Sequence, residues 1–363
     1  MKPVLRVIDS GLRGARANLA MTAALAELHR VGDCGDTLRF QHFPPSAIIG
    51  RHQSLAREVW IQVCAASGIE TARRMTGGGA IYMGPGLLGW ELVVGRASLP
   101  GTIGDASAAL CMGLAAGLSR LGVAAQFRPR NDVEVDGRKV SGTGGYFDGG
   151  TLVFQGTVLI DFDVADMADA LVLPVDKLDR RGLVAMAQRV VSLRELLGAP
   201  PPLAEVEAAV AAGLSDALGA APREGSLSQR EEDLAARLFA DEFGREAFVA
   251  GDDGWRYAAA TLGAPLRAEA QLAGGHLAAH IRVRGTAEPL IERMWLVGDV
   301  LVTPPRALLD LEAALVGVRL AEAVEAARRF LSEKCVDVLA TTHDEIVNVI
   351  ASAAANWIEG GAP

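Results

Sequence analysis

An α+β fold in two units is what this sequence predicts, on three observations. Helical segments alternate with antiparallel hairpins rather than with single crossover strands, an order that suits α+β and not a doubly wound sheet. Two tight-turn signals, Asp136-Gly137 and Asp148-Gly149-Gly150, punctuate the most β-rich stretch of the chain. The 363 residues exceed one ordinary domain, and a linker-like run at 219–228 (G-A-A-P-R-E-G-S-L-S) sets the expected units at 1–222 and 226–363.

Residues 18–29 (N-L-A-M-T-A-A-L-A-E-L-H) are rich in alanine and leucine, strong helix formers, and predict a helix. Residues 38–43 and 47–49 read as strands separated by Pro44-Pro45, 54–66 as a helix ending near Gly68, and 69–73 as a strand feeding a glycine turn. Residues 87–94 predict a strand, and 105–121 an amphipathic helix stopped by Gly122. In the region 132–161, Asp136-Gly137 is the pair that favours a type I′ hairpin, with strands at 138–141 and 151–161. A helix at 164–171, an irregular segment with Pro174 and Arg180-Arg181-Gly182, and a helix at 203–218 complete the first unit. Beyond the linker come a helix at 229–239, a meander at 266–272, 276–283 and 291–301, and two or three helices between 305 and 357. The chain carries no internal repeat and no low-complexity tract.

Composition narrows the function. Half the residues are hydrophobic and 22% are charged, as in ordinary globular proteins. Much of the apolar content is alanine, and no run approaches the ~20 residues that span a bilayer, so no membrane role is expected. The N-terminus has no extended apolar region and no cleavage pattern, so no secretory signal is expected. Cys34, Cys64, Cys111 and Cys335 lie far apart without a C-x-x-C pair, which fits a reducing cytoplasm and neither a disulfide framework nor a zinc site. The six histidines show no metal-ligand spacing. A net charge of −9 disfavours a nucleic-acid footprint, so any anion site must be local.

Two segments can supply one. In Arg73-Arg74-Met75-Thr76-Gly77-Gly78-Gly79-Ala80 consecutive glycines permit a concave nest of N–H groups, and two guanidiniums stand beside it with fork donors suited to phosphate. The spacing is not a Walker A loop, and a turn leading into a strand is not a Rossmann fingerprint. In Arg130-Asn131-Asp132…Gly137-Arg138-Lys139-Val140-Ser141-Gly142 a single lysine follows a D-G turn and precedes a run of small residues that invites close approach by a ligand. Lys139 could neutralise a substrate carboxylate and then charge on an α-phosphate. Asn131 and Asp132 read either as a turn pair or as a Mg²⁺ ligand and orienter of Lys139, and spacing does not choose.

These residues resemble the lipoate–protein ligase A family of the biotin/lipoate ligase superfamily. The pattern R-R-x-S/T-G-G-G-A-V/I-Y/F-H is approached by Arg73 to Met83, N-D…G-R-K-V/I-S/A-G is met by Asn131-Asp132…Gly142, and H-H-G-T-L-L is approached by Phe154-Gln155-Gly156-Thr157-Val158-Leu159. Softer matches at Asn18-Leu19-Ala20-Met21, Ile49-Gly50-Arg51-His52-Gln53 and Lys177-Leu178…Val191-Ser192-Leu193 extend the similarity over about residues 15–200. The stretch from Leu296 to Val300 and the helices after it resemble the accessory domain of two-domain ligases.

The resemblance implies a mixed, largely antiparallel sheet flanked by helices, followed by a smaller α+β accessory domain. It implies a two-step reaction: lipoate and Mg·ATP give lipoyl-AMP and pyrophosphate, and a carrier lysine then takes the lipoyl group. Lys139 would be the central cation. Arg73, Arg74, Thr76, Gly77, Gly78, Gly79, Ala80 and Tyr82 would line the lipoyl and phosphate site, and Asn131, Asp132, Gly142, Thr143, Gln155, Gly156 and Thr157 the adenylate pocket. Asp132 would also meet Mg²⁺ through the ATP phosphates. The implied partners are lipoyl-carrier proteins: an E2 lipoyl domain, a glycine-cleavage H protein, or an H-like lipoate-binding protein of a sulfur-oxidation system.

Met83 and Gln155 stand where the family pattern has histidines, which points to a change in substrate or carrier preference. Two alternatives share the fold. Octanoyltransferases use a cysteine in the loop before the lysine motif, where this chain has Ala125-Gln126-Phe127-Arg128, and Cys111 reads as a packed small hydrophobe. A non-catalytic lipoyl-binding homologue is the other, opposed by the retained Lys139 and glycine turn. The motifs of biotin–protein ligase are absent.

Overall fold

Period-two alternation builds the central sheet. Along Leu87–Gly95, Leu88, Trp90, Leu92 and Val94 enter one hydrophobic cluster while Val93 enters another across the sheet. The computed structural model describes residues 2–99, 101–172, 188–256 and 264–357. Its strands are β1 (Val4–Leu12), β2 (Thr37–His42), β3 (Ser46–Ile49), β4 (Glu70–Arg73), β5 (Ile81–Met83), β6 (Leu87–Gly95), β7 (Gln126–Arg128), β8 (Asp132–Val135), β9 (Arg138–Asp148), β10 (Thr151–Leu159) and β11 (Ala221–Glu224) in the first part of the chain. β12 (Leu266–Leu272), β13 (Gly275–Arg284), β14 (Leu290–Gly298), β15 (Val302–Thr303) and β16 (Asp337–Val338) follow.

The large sheet runs β11-β1-β2-β6-β10-β9-β8-β7. Only β1 pairs in parallel, with β11 and β2, so the sheet is mixed and largely antiparallel as expected. Helix α1 (Ala15–Arg30) covers one face with Met21 and Leu25, against Val93, Tyr146 and Val153. The other face packs on the helices Ile103–Ser119 and Leu203–Ala217 through Leu110, Leu114, Val206 and Val210. Thr102 and Asp105 form a capping box at the start of the former, worth ~1 kcal/mol. A small sheet, β4-β3-β5, carries the glycine turn between β4 and β5.

The expected elements are present with shifted ends. The predicted helix at 54–66 is two pieces, Leu55–Glu58 and Ile61–Ser67, and Gly68 takes φ 68° at the cap. Asp136 (φ 50°) and Gly137 (φ 76°) make the β8–β9 turn with the two positive φ values of type I′. The linker-like run 219–228 contains β11, an edge strand on β1 that accommodates Pro222 because its outer side takes no ladder bond. The segment with Pro174 and Arg180-Arg181-Gly182 lies outside the described residues.

After β11, helix Gln229–Leu238 and the turns to Ala250 pack on the first unit. Leu234 and Ala235 join the α1 cluster, and Phe243 and Val249 join that of the small sheet. The antiparallel sheet β12-β13-β14 then packs on helices Ala307–Leu315, Ala323–Glu333 and His343–Ala354 around its own core. The third strand of the expected meander stops at Gly298, three residues short, because the chain then turns toward the first unit.

Candidate functional site

The β8–β9 hairpin places Lys139 and Asp132 on adjacent strands, with Nζ 2.7 Å from Oδ1. The lysine side chain is 38% exposed, so the pair lies at an open site and not in the core. A Cβ on Gly142 would lie 2.5 Å from Lys139 Cε and Nζ, so glycine is what lets the lysine lie across its own strand. Asn131 Nδ2 donates to the Thr143 carbonyl, while Thr143 N–H (2.9 Å) and Oγ1–H (2.8 Å) donate to the Asn131 carbonyl. The pair therefore clamps the strand that carries the lysine. Thr157 Oγ1 accepts from Gly142 N–H at 3.5 Å, and Gly156 faces the Trp90 ring, where a Cβ would lie 2.3 Å from a ring carbon.

The glycine turn is built by its arginines. Arg74 donates to Thr76 Oγ1 (2.9 Å) and to the carbonyls of Gly77 and Gly79 (2.7 Å each). Arg73 donates to the carbonyls of Gly50, Arg51, Gln53, Phe248, Val249 and Ala250. Burial pushes both guanidiniums down to about 10. Their donors are thus spent on the protein's own backbone, and the anion-binding capacity of the turn rests on its N–H groups. Tyr82 and Ala80 face the cluster beneath the small sheet; burial, then the charge of Asp166, raises the Tyr82 hydroxyl.

The turn and the lysine strand meet through the accessory unit. Leu301 Cδ2 lies 3.8 Å from where a Cβ on Gly78 would be and 3.6 Å from that on Gly144. A Cβ on Gly77 would lie 2.1 Å from the Val300 carbonyl oxygen. The segment is fastened at both ends: Gly298 N–H donates to the His52 carbonyl (3.0 Å), and Thr303 Oγ1 accepts from Phe147 N–H (2.6 Å) and donates to its carbonyl (2.9 Å). Residues 299–301 therefore pack as a cap on Gly77–Gly78 and Gly144. The sequence motifs did not point to this cap; its signal was the strand-ending Gly298-Asp299.

Gln155 lies opposite Gly144 on one side and Glu91 on the other. Its Nε2 donates to Glu91 Oε2 at 3.1 Å. The sequence signal for Glu91, a lone carboxylate in the apolar run L-L-G-W-E-L-V-V, went unused. Met83 is buried in the small-sheet cluster, away from Gln155 in topology.

Of the four cysteines, Cys111 is the one packed at the site. Its Sγ lies 3.3 Å from Thr143 Oγ1, and it is fully buried, which pushes the thiol up to about 11. Asp132 already takes Lys139, a donor set that suits Mg²⁺ carried on nucleotide phosphates better than a resident ion held by protein alone. Among the described residues, Asp9, His42 and Glu207 group closely enough to share a metal ion, and they lie at the far end of β1 and β2, apart from Lys139. No helix is long and apolar enough to cross a membrane, among the described residues.

Comparison with known proteins bears on the family and the fold. Residues 14–215 match the lipoyl protein ligase A/B catalytic domain. The octanoyltransferase LipM of Symbiobacterium thermophilum is 31% identical over 262 residues, 66% of this chain and 95% of the relative. The lipoate-protein ligase LplJ of Bacillus subtilis is 31% identical over 153 residues, 42% of this chain and 45% of the relative. Among solved structures, the bi-partite lipoate protein ligase of Thermoplasma acidophilum, described with its E2 lipoyl domain, superposes with a TM-score of 0.61 at 26% identity, covering 69% of this chain and 97% of that one. LipL1 of P. falciparum, in complex with lipoate, shares the fold over 97% of this chain and all of its own, with a TM-score of 0.71 at 14% identity.

Proposed function

The chain belongs to the lipoyl protein ligase A/B catalytic domain family, and on that premise we propose that it is an ATP-dependent, AMP-forming lipoate–protein ligase. One observation carries the choice of ligation over thioester transfer. The Lys139–Asp132 pair lies at an open site, Leu301 lies beside both the glycine turn and the lysine strand, and the Cys111 thiol is packed behind Thr143 with its acidity suppressed. A site with a fixed cation and backbone donors but no thiolate stabilises a mixed anhydride without offering a side-chain nucleophile.

In this reading the N–H groups of Gly77–Gly79 hold phosphate oxygens and Lys139 meets the acid carboxylate and then the α-phosphate. Asn131 and Thr143 keep the lysine strand in register, Thr157 braces Gly142, and Asp132 orients Lys139. ATP would bring Mg²⁺ with its phosphates, and the ion supplies charge neutralisation there. The carboxylate oxygen attacks the α-phosphorus and pyrophosphate leaves. The amine of a carrier lysine then attacks the acyl carbon and AMP leaves, so the amide bond is driven by the anhydride. The expected boundary at 222–226 lies too early, since β11 and residues 229–250 pack on the first unit. That unit and the sheet and helices from Leu266 onward divide the work, with residues 299–301 of the latter withdrawing to admit substrate. The carrier is a lipoyl-carrier protein in the cytoplasm. An H-like lipoate-binding protein of a sulfur-oxidation system is the first candidate, tested against E2 lipoyl domains and H protein, because Gln155 and Met83 replace the usual histidines.

Transfer of an octanoyl group without ATP is the second reading, favoured by the similarity to LipM. Lipoate-dependent ATP–pyrophosphate exchange, followed by mass shifts on the carrier panel, separates them. Exchange supports ligation. Absence of exchange, with transfer from an octanoyl carrier protein in the absence of ATP, supports the second.

A further inference from the structure

The face of the sheet beneath α1 holds a polar row in register: Arg39 on β2 opposes Glu91 on β6, and Glu91 opposes Gln155 on β10. Arg39 and Glu91 are wholly buried. Arg39 donates through Nε to Glu91 Oε1 (2.6 Å), through Nη1 to Ser10 Oγ and Asn18 Oδ1, and through Nη2 to the Asn18 carbonyl and Thr22 Oγ1. Its five N–H groups are all used. Glu91 Oε2 accepts from Thr22 Oγ1 (2.6 Å) and from Gln155 Nε2 (3.1 Å). The network thus closes on itself everywhere except at Gln155.

A carboxylate only accepts, so Glu91 selects one of the two amide orientations of Gln155: nitrogen toward Glu91, carbonyl oxygen away from it. Among the described residues that oxygen receives no hydrogen bond from the protein. Beside it in register is Gly144, which has no side chain, and the space over Gly144 is filled by Leu301 of the cap. With Leu301 displaced, the acceptor would border the space over Gly144. Gln155 is two residues from Thr157 along β10, about 7 Å farther from the Lys139 end. An acid whose carboxylate lies at Lys139 brings the distal part of its chain there.

We propose that Glu91 is a positioning residue: it holds Gln155 as a hydrogen-bond acceptor beside Gly144, and so favours an acid whose distal end carries donors, the dithiol of dihydrolipoate, over one without them, the disulfide ring of lipoate or a plain alkyl chain. The inference deepens the proposed ligase reading and rests on it for where the carboxylate lies. A buried acceptor that a ligand leaves unpaired penalises that ligand, which is how a polar site rejects an analogue lacking the partner group.

The test measures equilibrium binding of dihydrolipoate, lipoate and octanoate by titration calorimetry to the full chain, beside ATP–pyrophosphate exchange with the same acids. The expected wild-type Kd for dihydrolipoate is about fivefold below those for lipoate and octanoate, the size of one modest hydrogen bond. Gln155→Met, at the half-buried edge of the network, brings the ratio to about one with the fold kept by circular dichroism. Glu91→Gln, able to donate as well as accept, frees the amide to turn and does the same, and the double variant does no more than either single one. A wild-type ratio of one, additive effects of the two substitutions, or an unchanged ratio in Gln155→Met would overturn the proposal, the last of these even if Glu91→Gln fails to fold. Discrimination in binding without exchange removes the ligase reading and leaves this one standing; exchange without discrimination does the reverse.

Discussion

Replacing Lys139 by methionine separates the chemistry of the site from its stability. The Nζ–Asp132 pair is 2.7 Å long, but its side chains are 38% and 25% exposed, so solvent screens it and it contributes at most ~1 kcal/mol to folding. Methionine keeps the unbranched stem that lies over Gly142, so the packing loss is small. The melting temperature is expected to fall by at most ~4 °C. Activity has a different scale. A cation aimed at charge that develops in the transition state acts without reorganisation, and loss of one such donor costs ~10²–10³ in rate. Lipoate-dependent ATP–pyrophosphate exchange should therefore drop by at least ~10² while the melting curve barely moves. Exchange within ~10-fold of wild type, in a variant with the wild-type melting curve, would remove Lys139 from the centre of the reaction. A collapse of the melting temperature would contradict the screened pair instead, and would show that the lysine is part of the fold.

Three further outcomes follow from the same geometry. Arg73→Lys should lower stability by ~3 kcal/mol or more in urea titrations, because one ammonium cannot serve six carbonyls; an unchanged midpoint would return the arginine to ligand binding. Cys111→Ala should leave ATP-dependent ligation intact, since a buried thiol pushed up to about 11 is not a thiolate near neutrality; loss of acyl transfer in a folded variant would support the thioester route. Glu312, desolvated on helix Ala307–Leu315 with Asp252 nearby, is pushed up to about 8 despite the Leu296 N–H and Arg293. A carboxyl raised in the folded state contributes stability that is complete below the unfolded value of 4.5 and is lost as pH rises through about 8. Stability of the wild type should therefore decline between these values relative to Glu312→Gln, and parallel curves would refute the assignment.

Much of this site was legible in the sequence because it is written in local chemistry. The Asp136-Gly137 turn, the spacing from Asn131 to Gly142 and the three-glycine turn each depend on neighbours a few residues away, and each took the expected form. What local chemistry left undecided was where the charged groups point. Arg73 and Arg74 look alike in sequence as phosphate ligands, but backbone acceptors hold both guanidiniums, Arg74 on the carbonyls of the glycine turn and Arg73 on those of residues 50–53 and 248–250. β1 and β11 were not read as strands, because a parallel edge pair depends on partners more than two hundred residues apart and Pro222 masks the second.

The larger omission, the row Arg39–Glu91–Gln155, shows why such sites resist sequence reading. Each residue taken alone is an ordinary polar exception in an apolar strand. Their meaning comes from register: three strands from three regions of the chain must align before one carboxylate can bind both an arginine and an amide. A single-residue slip of β10 would carry Gln155 to the opposite face, beside Leu92 or Trp90, and leave Glu91 without its amide partner. The buried ion pair therefore specifies register as well as charge. Because Gly144 opposes Gln155 across that same strand pair, the register that satisfies Glu91 also sets Gln155 beside a residue with no side chain. Folding specificity and the site's acceptor are one arrangement, so substitutions at Glu91 should be read through Gln155 before they are read as damage to the core.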